Sequence, residues 1–458
     1  MLSFHLKSLR DLVGDQCIRS GEALTSLDSG FDRDNLTAGF AILPHTVNDI
    51  VETIRYCGEH GLALVPQGGR TGLSGAARSS DGQVILMMHR MTKIIAIDTL
   101  SQTATVEAGC TLQALEDAVR LHGLTCGIDL GARGTATIGG MIATNAGGQE
   151  AFRFGPMRQR VLGLEVVLPD GRILDDLTQV IKANGGYDVK QLFIGAEGTL
   201  GIVTRACLRL APLPPDGITA LVSLSNCNSG IHLFRRLEAL TQGRLLRAEL
   251  MSANHVTVSA DDHGNPALAA FGKQGDCVLF EFTDQAALEA ELEVSLEGGD
   301  ITDALICKNE SERSGVWKIR EDWAVDRAFP HGLWFDVSVP LAQLDTYLEA
   351  LRQRLHNHDA DLKLFYVGHM GDGNLHITVN AASPLTSRYK EISALVYQDL
   401  KDLGGFFSAE HGIGLEKRET LAEQSDPVKY DLLNQIKKLI DPSGIMNPGK
   451  VLPSAGLK

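Results

Sequence analysis

From Pro66 to Ala77 the chain reads PQGGRTGLSGAA, and two more glycine-dense stretches follow: GARGTATIGGMIATNAGG over Gly131 to Gly148 and GAEGTLGIVT over Gly195 to Thr204. Glycine at this density outside a helix lets backbone approach a bulky ligand without side-chain collision, and converging N–H groups suit a pyrophosphate. The first stretch also offers the hydroxyls of Thr71 and Ser74. It is not a Walker A loop, because no Gly-Lys-Ser/Thr ends it, and it is not the GxGxxG of a Rossmann unit. One such stretch alone reads better as a packing turn, whereas three in one domain point to a large cofactor.

Around the first stretch the apolar pattern alternates between helical and strand periods. Ile50, Val51, Ile54 and Cys57 recur at helical spacing, Gly61 supplies a stop, and LALVPQ then reads as a strand. Strands VILMMH, IIAID and TATVEAG follow, then a helix opened by Thr111 with Leu112, Leu115 and Val119 on one face. Prolines 212, 214 and 215 in APLPPDG mark the best boundary in the chain. Beyond it the pattern predicts strand LVSLS, helix GIHLFRRLEALT, strands LRAELMS and CVLFEFT, helix AALEAELEVSL and strand ITDALIC. A helix through VWKIREDWA, strand LWFDVSV, helix LAQLDTYLEALRQRL, a hairpin from LKLFYVGH to LHITV and a helical tail complete it. The fold class expected is α+β, a sheet covered by helices in the second part, with one domain at 1–213, a second at 214–400 and a C-terminal segment at 401–458 that returns to the first domain.

Composition limits the function. With 458 residues, 44% hydrophobic and 22% charged, the chain reads as an ordinary soluble protein of two domains or of one domain with a large insertion. Its 57 acidic against 42 basic residues disfavour nucleic-acid binding as a main role. The eight scattered cysteines form no CxxC pair, which excludes zinc-ribbon, iron–sulfur and disulfide-scaffold readings and fits reduced thiols in the cytoplasm. MLSFHLKSLRDLVGDQ, with Asp11 and Asp15, is no signal peptide, and no stretch approaches the length of a transmembrane span.

A second constellation lies near the C-terminus. His369 and His376 bracket HMGDGNLH, with Asp372 and Gly373 as turn formers, and Glu410-His411 follows in SAEHGIG. A hairpin would bring both imidazoles to one end of a sheet, and Glu410, in a loop after Gly404 and Gly405, could swing towards it. Two neutral histidines and a carboxylate suit zinc, manganese or iron(II) with a position open to substrate. Among fourteen histidines a pair beside a turn is equally the polar end of an ordinary hairpin.

The order of PQGGRTGLSGAA, TIGGMIATNAGG and GAEGTLGIVT resembles the flavin domain of the vanillyl-alcohol oxidase and p-cresol methylhydroxylase superfamily over roughly residues 36 to 213. That resemblance implies a p-cresol methylhydroxylase-type fold and FAD. By it Pro66, Gly68, Gly69, Arg70, Thr71, Gly72, Leu73, Ser74 and Gly75 contact phosphate, and Thr135, Thr137, Gly139, Gly140, Asn145, Gly147 and Gly148 continue the cradle. Glu197, Gly198, Gly201 and Ile202 would lie near the ring, with Asn447 of the late NPGK also on the cofactor. Members with covalent flavin often carry a histidine in the first loop; Arg70 stands there instead, so non-covalent FAD is expected.

HMGDGNLH, SAEHGIG and NPGK are similar to the C-terminal domain of D-lactate and D-2-hydroxyglutarate dehydrogenases and the glycolate oxidase flavin subunit. The resemblance implies His369, His376 and Glu410 as zinc ligands, His411 as base and Arg320 as clamp of the substrate carboxylate. Without it Arg320 reads as a solvated helix arginine paired with Glu321 or Asp322. Hydroxyglutarate-specific members carry a lysine, a threonine and an asparagine where this chain has Trp334, Ala324 and Thr378. Losing that lysine removes the partner of a second carboxylate and adds apolar area. The expectation is an FAD-dependent dehydrogenase of D-lactate or a longer apolar D-2-hydroxy acid, with D-2-hydroxyglutarate or D-malate as the alternative. A zinc hydrolase would need the glycine-rich domain to be mere scaffold, and a non-catalytic flavin subunit would lack the metal motif. With no cysteine cluster or haem motif, electrons must leave to a quinone or an electron-transfer flavoprotein, at the inner membrane face or in the cytoplasm. A homodimer is left open.

Overall fold

A computed structural model of the chain describes residues 2–240 and 244–454. It divides into two compact units: Met1–Gly147 with Phe154–Leu213 and Glu410–Lys458, and Gly148–Arg153 with Pro214–Ala409. Thus the short stretch 148–153 counts with the second unit, and everything from Glu410 onward counts with the first.

The first unit is built on two larger sheets and a two-stranded pair, Leu124–Thr125 with Ala211–Pro212. Ile18–Ser20, Phe40–Ile42, Val84–Met87 and Leu64–Gln67 form a four-stranded sheet whose last three strands run parallel. Ile94–Asp98, Thr103–Glu107, Ile202–Arg209, Val161–Val167 and Ile173–Asp176 form an antiparallel sheet of five. The helix Val47–His60 starts where a capping box closes Thr46 on Asp49, and it stops at Gly61, whose φ of 63° only glycine adopts readily. Its buried face, Ile50, Val51, Ile54, Tyr56 and Cys57, carries the apolar spacing predicted from sequence. The helix Leu112–Arg120 is capped by Thr111 as expected. The chain's last segment joins this unit through strand-like bonds, Leu64 N–H to Ile445 O at 2.8 Å and Asn447 N–H to Leu64 O at 2.8 Å.

The second unit is an antiparallel seven-stranded sheet in the order Ile301–Ile306, Ile218–Leu224, Cys277–Phe282, Leu245–Met251, Lys363–His369, Asn374–Asn380, Leu333–Ser338. Each of these strands was legible in the sequence. Helices the sequence pattern does not show include Ala253–Asp262 and Pro266–Gly272, which stand between the strands LRAELMS and CVLFEFT. Ser252 and Asn265 cap them, and Pro266 sits at the first turn of the second. Thr241, the expected end of the helix from Cys227, lies outside the described residues; the helix is described to Leu240.

One face of this sheet is unusually polar. Because side chains directly opposite one another share a face, the register puts Arg247, Glu249, Glu281, His369, Asn374, His376, Asp336, Thr378 and Trp334 on the same side. The helix Glu310–Glu321 meets that side: Arg313 and the Trp317 indole donate to buried Glu281 at 2.6 and 3.0 Å, and Arg247 adds a third bond at 2.7 Å. Removing one partner from so buried a group costs about 3–5 kcal/mol, since the rest stays desolvated and unpaired.

His255, in the first of the two short helices, ties the same region together through Nε2, 2.8 Å from the carbonyl of Ile319. Burial pushes its pKa down to about 4, and nearby Arg320 pushes the same way while the carbonyl opposes. The folded chain therefore keeps His255 neutral, and the unfolded chain binds a proton there below about 6.5. Stability is lost as pH falls from about 6.5 towards 4. In His255→Gln that part of the pH dependence should disappear from urea melts taken at the two ends of the window; an unchanged slope would contradict the assignment.

Candidate active site

The first unit holds a cavity of about 320 Å³ walled by the three glycine-rich stretches. Of the residues expected on the cofactor, Pro66, Gly68, Gly69, Arg70, Thr71, Gly72, Leu73, Thr137, Gly139, Gly140, Gly147, Glu197, Gly198, Gly201 and Ile202 line it. Met88, Leu130, Met141, Phe193 and Val203 add apolar wall that the sequence reading did not single out. Glu410 and His411 line the same cavity.

The wall closes by backbone meeting backbone. A Cβ on Gly69 would overlap the carbonyl of Thr135, and one on Gly68 would overlap the Thr137 hydroxyl. At Gly72 and Gly131 it would meet nothing within 4 Å, so there the chain is open. Arg70, at φ 55°, turns back so that Nε donates to the Asp28 carbonyl at 3.0 Å. A glycine-floored cavity with apolar flanks and few charges fits a dinucleotide with an aromatic ring system.

Other expected residues serve the frame of the cavity instead of its surface. The Ser74 hydroxyl donates to the carbonyl of His411 at 2.6 Å. Asn145 ends the helix Ile138–Thr144 in the left-handed region and accepts from Arg158 N–H at 2.8 Å. Thr135 contributes its backbone against Gly69, Gly75 stands against Arg78, and Gly148 belongs to the second unit. Asn447, buried, donates to the carbonyls of Ala76 and Glu197 at 3.1 and 2.8 Å.

The segment just after Glu410 and His411 is fastened to the first unit. Glu197 accepts from the backbone N–H groups of Ile413 and Gly414 at 2.7 and 2.8 Å, and Leu415 N–H donates to the Ser74 carbonyl at 2.9 Å. Burial pushes the Glu197 pKa up to about 7 against the pull of those two N–H groups, Lys417 and Lys450. The regular helix begins only at Arg418. Glu197 is thus a strut between the third glycine stretch and the loop bearing Glu410 and His411.

In the second unit the hairpin Lys363–His369 and Asn374–Asn380 stands as predicted, with the imidazoles of His369 and His376 5.4 Å apart between centroids and nearly perpendicular. His376 lies two residues inside its strand, opposite Val367, so the pair shares a face through the pleat and is not gathered at the turn itself. Each Nδ1 faces a buried carboxylate: His369 lies 2.8 Å from Glu249, and His376 lies 3.7 Å from Asp336. Arg320 is neither solvated nor paired with Glu321 or Asp322, because its Nε and Nη2 lie 2.7 and 2.6 Å from Glu249. Burial would raise the pKa of Glu249, but His369 and Arg320 outweigh it and hold the carboxyl below its ordinary range. Glu249 and Asp336 were missed because neither belongs to a recognisable motif; a lone acid inside an apolar strand, as in LRAELMS, was the available signal.

Trp334 is 40% exposed, which excludes a core role, and it lies beside Trp323 with ring centroids 5.2 Å apart. Its indole donates to Asp326 at 2.7 Å. Thr378 stands directly across the strand pair, and Ala324 is buried at the start of a short helix. Arg327, the nearest cation in sequence, is bound to Asp322 and Asp262.

The profile of FAD linked oxidases, C-terminal domain, matches residues 213–451, and that of the FAD binding domain matches residues 38–176. The chain belongs to the FAD-linked oxidase family. It is 38% identical to a probable mitochondrial D-2-hydroxyglutarate dehydrogenase of Oryza sativa subsp. japonica, over 91% of this chain and 75% of that protein. It is 35% identical to D-2-hydroxyglutarate dehydrogenase of Xanthomonas citri pv. viticola, over 89% of this chain and 88% of that protein. Its fold matches p-cresol methylhydroxylase with a TM-score of 0.70 at 16% identity, covering 99% of this chain and 97% of that one. The expected α+β architecture with a p-cresol methylhydroxylase-type FAD-binding domain is therefore correct.

The cavity wall yields a direct test. Gly69→Ala should purify without the yellow flavin absorbance, because its Cβ collides with the Thr135 carbonyl. Gly134→Ala, whose Cβ meets nothing within 4 Å, should keep it. Full flavin content in Gly69→Ala would show that the wall does not depend on that contact.

Proposed function

We propose that this flavoprotein oxidises a D-2-hydroxy acid to the 2-oxo acid, with Arg320 and the His369–His376 pair gripping the substrate and His411 taking its hydroxyl proton. The observation that carries this reading is the imidazole pair on the polar face of the second unit, beside an arginine held by Glu249. FAD, held without a covalent bond by the glycine-rich walls, supplies a two-electron acceptor for the hydride leaving C2. A divalent ion such as zinc, or manganese or iron(II), would polarise the substrate hydroxyl. Both histidines turn Nδ1 towards a carboxylate, which suits Nε2 to ligation; Glu410 as third ligand rests on the sequence resemblance.

His411, whose carbonyl Ser74 anchors, is assigned the hydroxyl proton at its ring. Arg320, one edge spent on Glu249, has its remaining N–H groups for a carboxylate. The electrons leave to an acceptor such as a quinone or an electron-transfer flavoprotein. No helix among the described residues is long and apolar enough to cross a membrane.

The substrate side chain is assigned to the Trp334 region, where two half-exposed indoles and an engaged Arg327 favour an apolar chain, from D-lactate upward. The relatives' names favour a second reading, D-2-hydroxyglutarate. Anaerobic flavin bleaching separates them: D-lactate and larger apolar D-2-hydroxy acids should reduce the flavin faster than D-2-hydroxyglutarate. Trp334→Lys should shift the ratio of kcat/KM towards the dicarboxylate by roughly ten- to a hundredfold, the worth of one charged hydrogen bond. Chelator should slow reduction, and readded zinc or manganese should restore it. A wild-type preference for D-2-hydroxyglutarate decides for the second reading, and reduction indifferent to complete metal removal removes the metal from the proposal.

A further inference from the structure

The carboxylate of Glu249 is fully buried in the strand Leu245–Met251 and receives three N–H groups from two functional side chains. His369 Nδ1 stands 2.8 and 3.1 Å from its two oxygens, and Arg320 presents Nε and Nη2 at 2.7 and 2.6 Å to one of them. His369 is its direct cross-strand neighbour, and Arg320 comes from the helix Glu310–Glu321 over the same face. Asp336 offers the matching carboxylate to His376 and also accepts from Asn374 at 2.8 Å.

We infer that Glu249 is a positioning residue: one carboxylate sets the ligating nitrogen of His369 and the orientation of the Arg320 guanidinium, fixing metal ligand and substrate clamp in one geometry. This rests on the function proposed above and extends it to a residue in direct contact with neither substrate nor ion. An ionised carboxylate accepts from both partners at once, holding the proton on Nδ1 and directing Nε2 to the ion. Glutamine cannot do the same. Its single oxygen serves one partner while its NH2 meets an N–H of the other. Aspartate keeps the charge but is one methylene too short to span both.

The test is a titration of metal-free holoenzyme with Zn²⁺ and Co²⁺, together with steady-state kinetics at saturating metal, for wild type, Glu249→Gln and Glu249→Asp. Both variants should bind the ions roughly 10- to 100-fold more weakly. Their KM for the hydroxy acid should stay raised by about tenfold or more even when metal is saturating, because Arg320 has lost its anchor. Flavin content should remain that of the wild type. Wild-type metal affinity together with wild-type KM in Glu249→Gln overturns the inference. Should neither variant fold by circular dichroism, proton NMR of Co²⁺-loaded wild type decides: a shifted imidazole N–H of His369 exchanging slowly with solvent supports the bond to Glu249, and rapid exchange overturns it. A wild type that binds neither ion removes the metal reading and the metal half of this inference, while the KM comparison still decides the arginine half.

Discussion

The first unit depends on places where main chain touches main chain. At Gly69 against Thr135, and at Gly414 against Ser74, a Cβ would stand inside a carbonyl oxygen. These contacts let the first glycine stretch lie on the second and let the Glu410–Gly414 loop lie on the first. They determine where the cavity is and which residues face it. Because they need the absence of a side chain, they explain a glycine-rich sequence by close approach of backbone, and the wall's openings at Gly72 and Gly131 are those where no neighbour approaches.

Buried carboxylates do the next share of the positioning. Glu197 binds two backbone N–H groups of the loop carrying Glu410 and His411, Glu249 binds His369 and Arg320, and Glu281 binds Arg313, Arg247 and Trp317. Each is an acid removed from water, costly by itself, and tolerable because several donors converge on it. Such groups stiffen what surrounds them, and stiff surroundings favour chemistry that needs a hydroxyl, a carboxylate and a hydride acceptor in register.

Much of this was legible in the order of residues. The strands of the second unit and four of the first, Leu64–Gln67, Val84–Met87, Ile94–Asp98 and Thr103–Glu107, follow from alternation and apolar runs, the helix Val47–His60 from its spacing and the stop at Gly61, and the cofactor wall from three glycine blocks whose family resemblance is specific together and weak apart. What escaped was long-range or locally irregular. The short helix Ala253–Asp262 has little apolar periodicity, and its packing comes from tertiary contact with residues such as Val316 and Ile319. The bond from Ser74 to the carbonyl of His411 spans 337 residues and could not be read locally. Arg320 was assigned a substrate and has Glu249 as well, since pairing across a sheet face depends on register that no single motif displays. Trp334 was visible as a departure, but its exposure and its neighbour Trp323 were not.

The central claim is that the flavin accepts two electrons from a D-2-hydroxy acid and from no other half of a racemate. Its most direct measurement is an anaerobic single turnover in which the holoenzyme is mixed with a racemic 2-hydroxy acid, and the 2-oxo acid formed is counted against flavin bleached. The account predicts one 2-oxo acid per flavin, drawn entirely from the D-enantiomer, with the L-enantiomer recovered intact. Bleaching by the L-enantiomer, or no bleaching by any 2-hydroxy acid, would contradict it.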